Sequence, residues 1–147
     1  MNKLILFFTI IFIHLGVLAQ QNPVAWKIEY LKDNSSIKYK ANIEPDWHLY
    51  AANLPNPEEG PLPTEFKYEP SGSFELSGGV LESKPIKSYD KNFGIDVSYF
   101  ENSAEFTQEL KFSSHEPFSI IGNIYYMVCN DKMCIPFEEP FKVLIDP

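Results

Sequence analysis

Apolar and polar residues alternate along most of the chain, which is the pattern of β-strands with one buried face. After the first twenty residues, no stretch has the apolar spacing of an amphipathic helix of about ten residues. The alternating runs place on common faces Trp26, Ile28 and Tyr30; Ile37, Tyr39, Ala41 and Ile43; Phe106, Leu110 and Phe112; Phe118, Ile120, Gly122, Ile124 and Tyr126; and Phe141, Val143 and Ile145.

Turn-forming residues separate these runs at 32–36, 54–63, 69–73 and 76–79. The segment 53–63 is too rich in proline for an interior strand, so we expect a surface loop or edge there. Many short strands around an aromatic-rich core indicate an all-β fold, an immunoglobulin-like antiparallel β-sandwich. The chain contains no internal repeat and no low-complexity linker, and its length predicts one domain.

The N-terminus has the layout of a secretory signal peptide. Lys3 precedes an apolar run from Leu4 to Ala19, and Val17 and Ala19 suit the positions before a cleavage site. We therefore expect a signal peptide at 1–19, cleaved after Ala19, and a mature domain at 20–147 in the periplasm or another exported location. An uncleaved N-terminal anchor is the alternative, although the run is shorter than the roughly 20 residues that span a bilayer.

The charge balance argues against some partners. The formal net charge is −8 at pH 7, and the predicted leader holds one Lys and no acidic residue. An acidic mature chain is poorly suited to binding nucleic acid or an anionic membrane surface. Apart from this exclusion, the charge indicates an ordinary acidic surface.

The only two cysteines, Cys129 and Cys134, are separated by four residues in the stretch "YMVCNDKMCIP". A disulfide here could be a structural clip, but closing so small a ring contributes only about 2 kcal/mol in the chain-entropy model. A metal site is a second alternative, yet the mature chain offers only His48 and His115 as further soft ligands, so we expect no metal. The third alternative is a redox pair that exchanges with the thiols of a partner.

The stretch "YMVCNDKMCIP" resembles the N-terminal periplasmic domain of thiol:disulfide interchange proteins of the DsbD type. The resemblance covers about Trp26 to Ile145 and includes three further segments. These are "DWHLYAANL" at 46–54, "GPLPT" at 60–64 and "SYDKNFGIDVSYFENSAEFTQ" at 88–108. The family implies an immunoglobulin-like fold and electron transfer from a thioredoxin-like or membrane-embedded thiol reductase to oxidised periplasmic proteins, some of them in cytochrome c biogenesis.

Carried over residue by residue, the resemblance makes Cys129 and Cys134 the redox pair and requires no other cofactor. It implies that a cap loop containing Asp90, Phe93 and Gly94 folds over the sulfurs. A phenylalanine there would exclude stray thiols, and a glycine would let the loop swing aside. The residues implied to line the pocket are His48, Tyr50 and Tyr126; on the sequence alone Tyr50 and Tyr126 are equally good core residues.

Two departures from the family pattern concern the loop. Better-studied members have five residues between the cysteines and a second proline where Phe137 stands, and they have Tyr at the position of His48. The sequence continues into neither a membrane domain nor a thioredoxin-like domain, so we expect a separate electron donor. A protein-disulfide reductase component is the predicted activity. The residues alone leave open which cysteine is attacked first, and the resemblance implies Cys134 as the one that joins partners. The rival is a non-redox binding module whose disulfide closes a recognition loop.

Overall fold

The computed structural model describes residues 21–91 and 93–147, so the predicted signal peptide at 1–19 lies outside the described residues. Nearly all regular structure is extended, with one 3₁₀ turn at Lys32–Asn34. The strands are β1 (Val24–Leu31), β2 (Ser36–Ile43), β3 (His48–Tyr50), β4 (Glu65–Tyr68), β5 (Phe74–Glu82), β6 (Ile86–Asp90), β7 (Ile95–Glu101), β8 (Ser103–Phe112), β9 (Phe118–Cys129) and β10 (Cys134–Ile145).

The strands form two antiparallel sheets that pack face to face. One sheet has four strands in the order β1-β2-β8-β5. The other has six strands, ordered β10-β9-β3-β7-β6, with β4 also paired to β9. Both sheets contribute residues to one hydrophobic core, so the predicted antiparallel β-sandwich is confirmed.

The core consists of the predicted inward faces. Phe106 is fully buried at its centre, where its ring contacts those of Trp26, Phe66 and Phe100. The alternating residues of β2, β9 and β10 are buried in the same cluster, among them Ile37, Ile124 and Ile145. Period-two alternation with mostly β-branched and aromatic side chains explains why these segments form strands.

Strand β9 is shared by two short partners on the side opposite β10. At its cysteine end it pairs with β3, and nearer its start it pairs with β4. The chain between β3 and β4 is the proline-rich loop predicted at 54–63. Its base is closed by Thr64, whose Oγ1 donates to the Tyr50 carbonyl at 2.6 Å and whose amide donates to the Ala51 carbonyl at 3.1 Å. The loop therefore leaves and rejoins the sheet at nearly one point.

The turn predicted at 76–79 was wrong, because these residues lie inside β5. The register between β5 and β8 shifts between Ser77 and Leu81, and Gly78 has a φ of +69° that suits glycine. The buried amide of Gln108 donates to the carbonyls of Ser77 and Gly78, both at 3.4 Å. The glycines thus mark a β-bulge in a continuing strand.

Candidate functional site

The two cysteines flank the turn of the β9–β10 hairpin and form a disulfide. Cys129 is the last residue of β9, Cys134 is the first of β10, and they are direct cross-strand partners with Cα atoms 4.1 Å apart. The turn between them is organised by Asn130, whose side-chain oxygen accepts from the amides of Lys132 at 2.9 Å and Met133 at 3.0 Å. The Asn130 amide donates to the Met133 carbonyl at 2.9 Å. Because these contacts do not involve sulfur, the hairpin can keep the two thiols together after reduction.

The two sulfur-bearing residues differ in exposure. Cys129 is 0% exposed, whereas Cys134 is partly exposed. An attacking thiolate must approach the sulfur along the axis of the bond it breaks, so access decides which sulfur reacts. The geometry favours Cys134 as the point of attack.

The disulfide lies on the face of the six-stranded sheet that points away from the main core. Alternate residues of β9 point to opposite faces, so Val128 is in the core while Cys129 is on the outer face. There it belongs to a small cluster, called here the outer cluster. Its buried members are Tyr50, Val97 and Cys129, and the partly buried ones are Leu54, Phe93, Ile95, Tyr99, Met127 and Cys134.

The cap loop joins β6 to β7, and of its described residues Asp90, Lys91, Phe93 and Gly94, Phe93 packs against the outer cluster. The Asp90 carbonyl accepts from the Gly94 amide at 2.7 Å, and its Oδ1 accepts from the Phe93 amide at 3.4 Å. Gly94 has a φ of +72°, a conformation that a β-carbon would strain. The Phe93 ring meets the Tyr50 ring edge to face at a centroid distance of 6.2 Å. The loop is thus closed, with Phe93 in the same cluster as both cysteines.

A hydrogen-bond chain connects the cap loop to the sheet beside the disulfide. The Tyr50 hydroxyl donates to Asp90 Oδ2 at 2.8 Å, and the His48 Nε2 lies 3.3 Å from the same hydroxyl. His48 is the cross-strand partner of Cys129 on one side and of Glu101 on the other. Strand β3 therefore brings His48 and Tyr50 to the disulfide, since both point to the outer face.

Burial is the main cause of the pKa shifts of His48 and Tyr50 in this hydrogen-bond chain. Burial lowers the pKa of His48, and the nearby carboxylates of Asp90, Glu101 and Asp131 oppose that shift. Burial also raises the pKa of Tyr50 above its usual range, with the bond to Asp90 adding to the effect. His48 is therefore mainly neutral and Tyr50 is a protonated hydrogen-bond donor at neutral pH.

Tyr126 lies outside the outer cluster. It precedes Cys129 by three residues, so the alternation of β9 puts the two side chains on opposite faces. Tyr126 is 1% exposed in the main core, stacked on Phe137, and its hydroxyl accepts from Asn22 Nδ2 at 2.7 Å. The structure thus brings His48, Tyr50, Asp90, Phe93 and the cysteines together, and makes Tyr126 a core residue.

Several residues near the disulfide were not found from the sequence. Tyr99 is the cross-strand partner of Tyr50, and its ring lies 4.9 Å from that of His48. Gly60, in the proline-rich loop, has a φ of +111° that favours glycine, and a β-carbon there would come 2.5 Å from Ile95 Cδ1, so the Ile95 side chain would have to shift. The alternation of Ile95, Val97 and Tyr99 was a visible signal for a shared face. Nothing local in the sequence indicated that the face was the outer one.

Within residues 21–91 and 93–147, no group of three or more His, Cys, Asp or Glu residues is arranged to hold a metal ion. In the same part of the chain, no helix is long and apolar enough to cross a membrane.

A family model described as "Thiol:disulfide interchange protein DsbD, N-terminal" matches residues 17–145. The chain belongs to this family. None of the curated proteins compared with the chain matches it. Membership of the DsbD N-terminal family supports a role in thiol–disulfide exchange. The chain has the Cys129–Cys134 disulfide that the resemblance implied.

Solved structures with the same fold include DsbD N-terminal domains from Neisseria meningitidis. The reduced form is 16% identical with a TM-score of 0.59, and the match covers 82% of this chain and 83% of that one. A second structure is the complex of the DsbD N-terminal and PilB N-terminal domains from the same organism, at 15% identity, a TM-score of 0.59 and coverage of 86% and 87%. These likenesses confirm the immunoglobulin-like sandwich.

The N-terminal periplasmic domain of ScsB from Proteus mirabilis is also similar. It is 16% identical with a TM-score of 0.53, and the match covers 81% of this chain and 44% of that chain.

Proposed function

We propose that this protein is an exported thiol–disulfide exchange module that carries electrons through the Cys129–Cys134 pair. The electron donor is a thioredoxin-like or membrane-embedded thiol reductase, and the acceptors are oxidised periplasmic proteins. The observation that carries the proposal is a hairpin disulfide with one buried and one partly exposed cysteine, in a cluster that also holds Phe93 of the cap loop. The activity is that of a protein-disulfide reductase component, and the disulfide is its only redox group.

The exchange follows from the difference in exposure. A donor thiolate attacks the sulfur of Cys134, the donor–Cys134 disulfide forms, and the electron pair of the broken bond leaves on Cys129. A second donor thiolate then attacks the donor sulfur of this mixed disulfide and releases Cys134 as a thiolate. The donor leaves oxidised, and the protein has gained two electrons and, after protonation, two protons. Passing electrons to a client reverses these steps.

The cap loop controls access to this chemistry. Phe93 belongs to the same cluster as both cysteines and meets the Tyr50 ring, and the bond from Tyr50 to Asp90 fixes the base of the loop to β3. A docking partner that displaces Phe93 would uncover Cys134 without disturbing the main core, because Phe93 packs in the outer cluster and is not a member of the main core. Small thiols lack the contacts that could displace the ring, so we expect them to react slowly.

Two observations support a protein partner. The related Neisseria DsbD N-terminal domain is solved in complex with the PilB N-terminal domain. The cap loop, the cysteine hairpin and the 54–63 loop each place residues in or beside the outer cluster, so three separate chain segments border the site. Such a site suits a partner domain better than a small cofactor.

The test is reduction of the oxidised protein by reduced thioredoxin, followed by alkylation of free thiols and mass measurement. We expect complete conversion to the dithiol. In the Cys129→Ser variant, Cys134 is first activated as a mixed disulfide. A thioredoxin variant lacking its resolving cysteine should then form a covalent complex with this Cys134. Cys134→Ser, activated at Cys129 in the same way, is the matched control and should react far more slowly because Cys129 is buried.

If thioredoxin leaves the disulfide intact while dithiothreitol reduces it, the redox proposal fails. The pair would then close a recognition loop, as in the rival binding module.

A further inference from the structure

The exchange leaves the two sulfurs with different proton requirements. Cys134 is partly exposed and can exchange protons with water, but Cys129 is fully buried in the outer cluster. Burial disfavours a charged thiolate, so the sulfur of Cys129 must gain a proton when the disulfide opens and lose it when the disulfide closes. A proton route to Cys129 is therefore needed in both directions.

His48 is a titratable residue that neighbours Cys129 in the sheet and also lines an open groove. Cross-strand partners on one face have β-carbons roughly 4.5–5.5 Å apart, and His48 is the partner of Cys129. His48 also lines a groove of about 340 Å³ together with Glu101 and Asp131. His48 thus pairs with the buried Cys129 across the sheet and lines an open polar groove.

The hydrogen bonds of Tyr50 determine the tautomer of His48. A tyrosine hydroxyl has one proton, and Tyr50 donates it to Asp90 Oδ2 at 2.8 Å. The contact between His48 Nε2 and the same hydroxyl, at 3.3 Å, must then be donated by Nε2–H. The lone pair of the neutral ring is consequently on Nδ1, which is left to accept a proton.

The groups that surround His48 make both protonation states accessible. Burial favours the neutral ring, which can accept a proton at neutral pH. Three carboxylates favour the protonated ring, which can return the proton. The titratable and charged groups facing His48 or its groove are Tyr50 on β3, Tyr99 and Glu101 on β7, Asp90 in the cap loop, Asp131 in the cysteine turn, and Glu44 and Asp46 before β3.

We propose that His48 transfers protons to and from the sulfur of Cys129 through Nδ1, held in that tautomer by Tyr50 and Asp90; this inference rests on the proposed function. When a donor attacks Cys134, the S–S bond breaks, Cys129 receives its electron pair, and protonated His48 gives it a proton. When a client is reduced, Cys134 forms the mixed disulfide and His48 removes the proton from Cys129. The Cys129 thiolate then attacks Cys134, the disulfide closes, and the client leaves as a thiolate.

The reaction of the reduced protein with dithiobis(nitrobenzoate) separates these steps. Attack by Cys134 releases one thionitrobenzoate and leaves the other on Cys134, and attack by Cys129 on Cys134 releases the second. We expect His48→Gln to slow the second release about a hundredfold at neutral pH, the low end of what a positioned proton acceptor contributes. The first release should not change, because Cys134 has its own access to water.

The pH dependence distinguishes proton transfer from a merely structural effect. In the wild-type protein, the rate of the second release should fall as the pH drops through the titration of His48, because Nδ1 is then already protonated. In His48→Gln this step should follow only the titration of the thiol itself. The glutamine amide can still donate to Tyr50, so the variant keeps the contact that holds the cap loop.

The control is His115→Gln, which removes the exposed histidine in the loop before β9 and should behave as wild type. Equal second-phase rates and equal pH profiles for His48→Gln and wild type would overturn the role of His48. Failure of the wild-type protein itself to release a second thionitrobenzoate would instead contradict the proposed function. Circular dichroism and the single-release stoichiometry of Cys129→Ser confirm that the proteins compared are folded and react at Cys134.

Discussion

The six-stranded sheet has an aromatic cluster on each face, and the two clusters are closed in different ways. On the inner face, the second sheet covers Phe106 and its neighbours, so these side chains can be exposed to solvent only if the two sheets separate. On the outer face, a short loop and a few side chains cover Cys129. The same strands thus provide a core closed by a second sheet on one side and a disulfide covered by a loop and a few side chains on the other. Stability and reactivity can therefore be changed independently.

The largest effect is expected on the inner face. Phe106→Ala removes a fully buried ring that contacts three other aromatic rings, and it should lower the free energy of unfolding by about 3–5 kcal/mol. Chemical denaturation measures this. The rate at which dithiothreitol reduces the disulfide, measured under conditions where the protein stays folded, should stay close to the wild-type rate. A large rate increase in the folded variant would show that the two faces are coupled.

Removing the Phe93 ring from the cap loop should instead change the rate of disulfide reduction and leave the free energy of unfolding nearly unchanged. Phe93→Ala exposes the disulfide, and if the ring contributes about 1.4 kcal/mol to closure, reduction by dithiothreitol accelerates about tenfold. Stability should change little, since Phe93 is only partly buried. Phe118→Ala is the matched control: this ring is also partly buried, but packs on the main core, and its loss should leave the reduction rate unchanged. Unchanged reduction of Phe93→Ala would mean that the loop does not shield the sulfurs.

A smaller effect is expected from one hydroxyl. Tyr50→Phe keeps the ring but loses the bond to Asp90, worth about 0.5–1.5 kcal/mol, so reduction should accelerate roughly two- to tenfold. Tyr39→Phe removes a hydroxyl that bonds Tyr68 in the main core, and it should affect only the free energy of unfolding. Identical reduction rates for both variants would contradict the role of Tyr50 in holding the loop.

The smallest effect is a change in how stability depends on pH. Burial lowers the pKa of His48 in the folded state, so between that value and the unfolded pKa of about 6.5 the unfolded chain binds more protons. Stability should therefore fall as the pH drops below about 6.5, and His48→Gln should remove this part of the slope. Unfolding at several pH values measures it, with His115→Gln as control. A slope that survives in His48→Gln would assign it to other groups.

The alternation of the sequence was sufficient to predict the inner face, because a period of two in β2, β9 and β10 leaves only one way to bury them. It could not predict the outer cluster. Tyr50, Val97 and Cys129 come from three strands whose neighbours are decided by sheet topology, and the pairing of His48 with Cys129 joins residues far apart in sequence.

The resemblance supplied the cap loop, yet it also proposed Tyr126 as a pocket residue. Counting three residues from Tyr126 to Cys129 along a strand would have placed Tyr126 in the core. The glycines of β5 misled for a different reason, because a bulge and a turn both need φ values that favour glycine.

The loop between β3 and β4 begins and ends at one anchor, where Thr64 bonds the carbonyls of Tyr50 and Ala51. A segment attached in this way can lengthen or shorten without moving either strand, since closing a longer loop costs little extra free energy. We therefore expect relatives to diverge here and to acquire different clients while the chemistry stays the same. Exchanging residues 54–60 between two homologues should change which client proteins are reduced fastest. The rate at which dithiothreitol reduces the disulfide should stay the same.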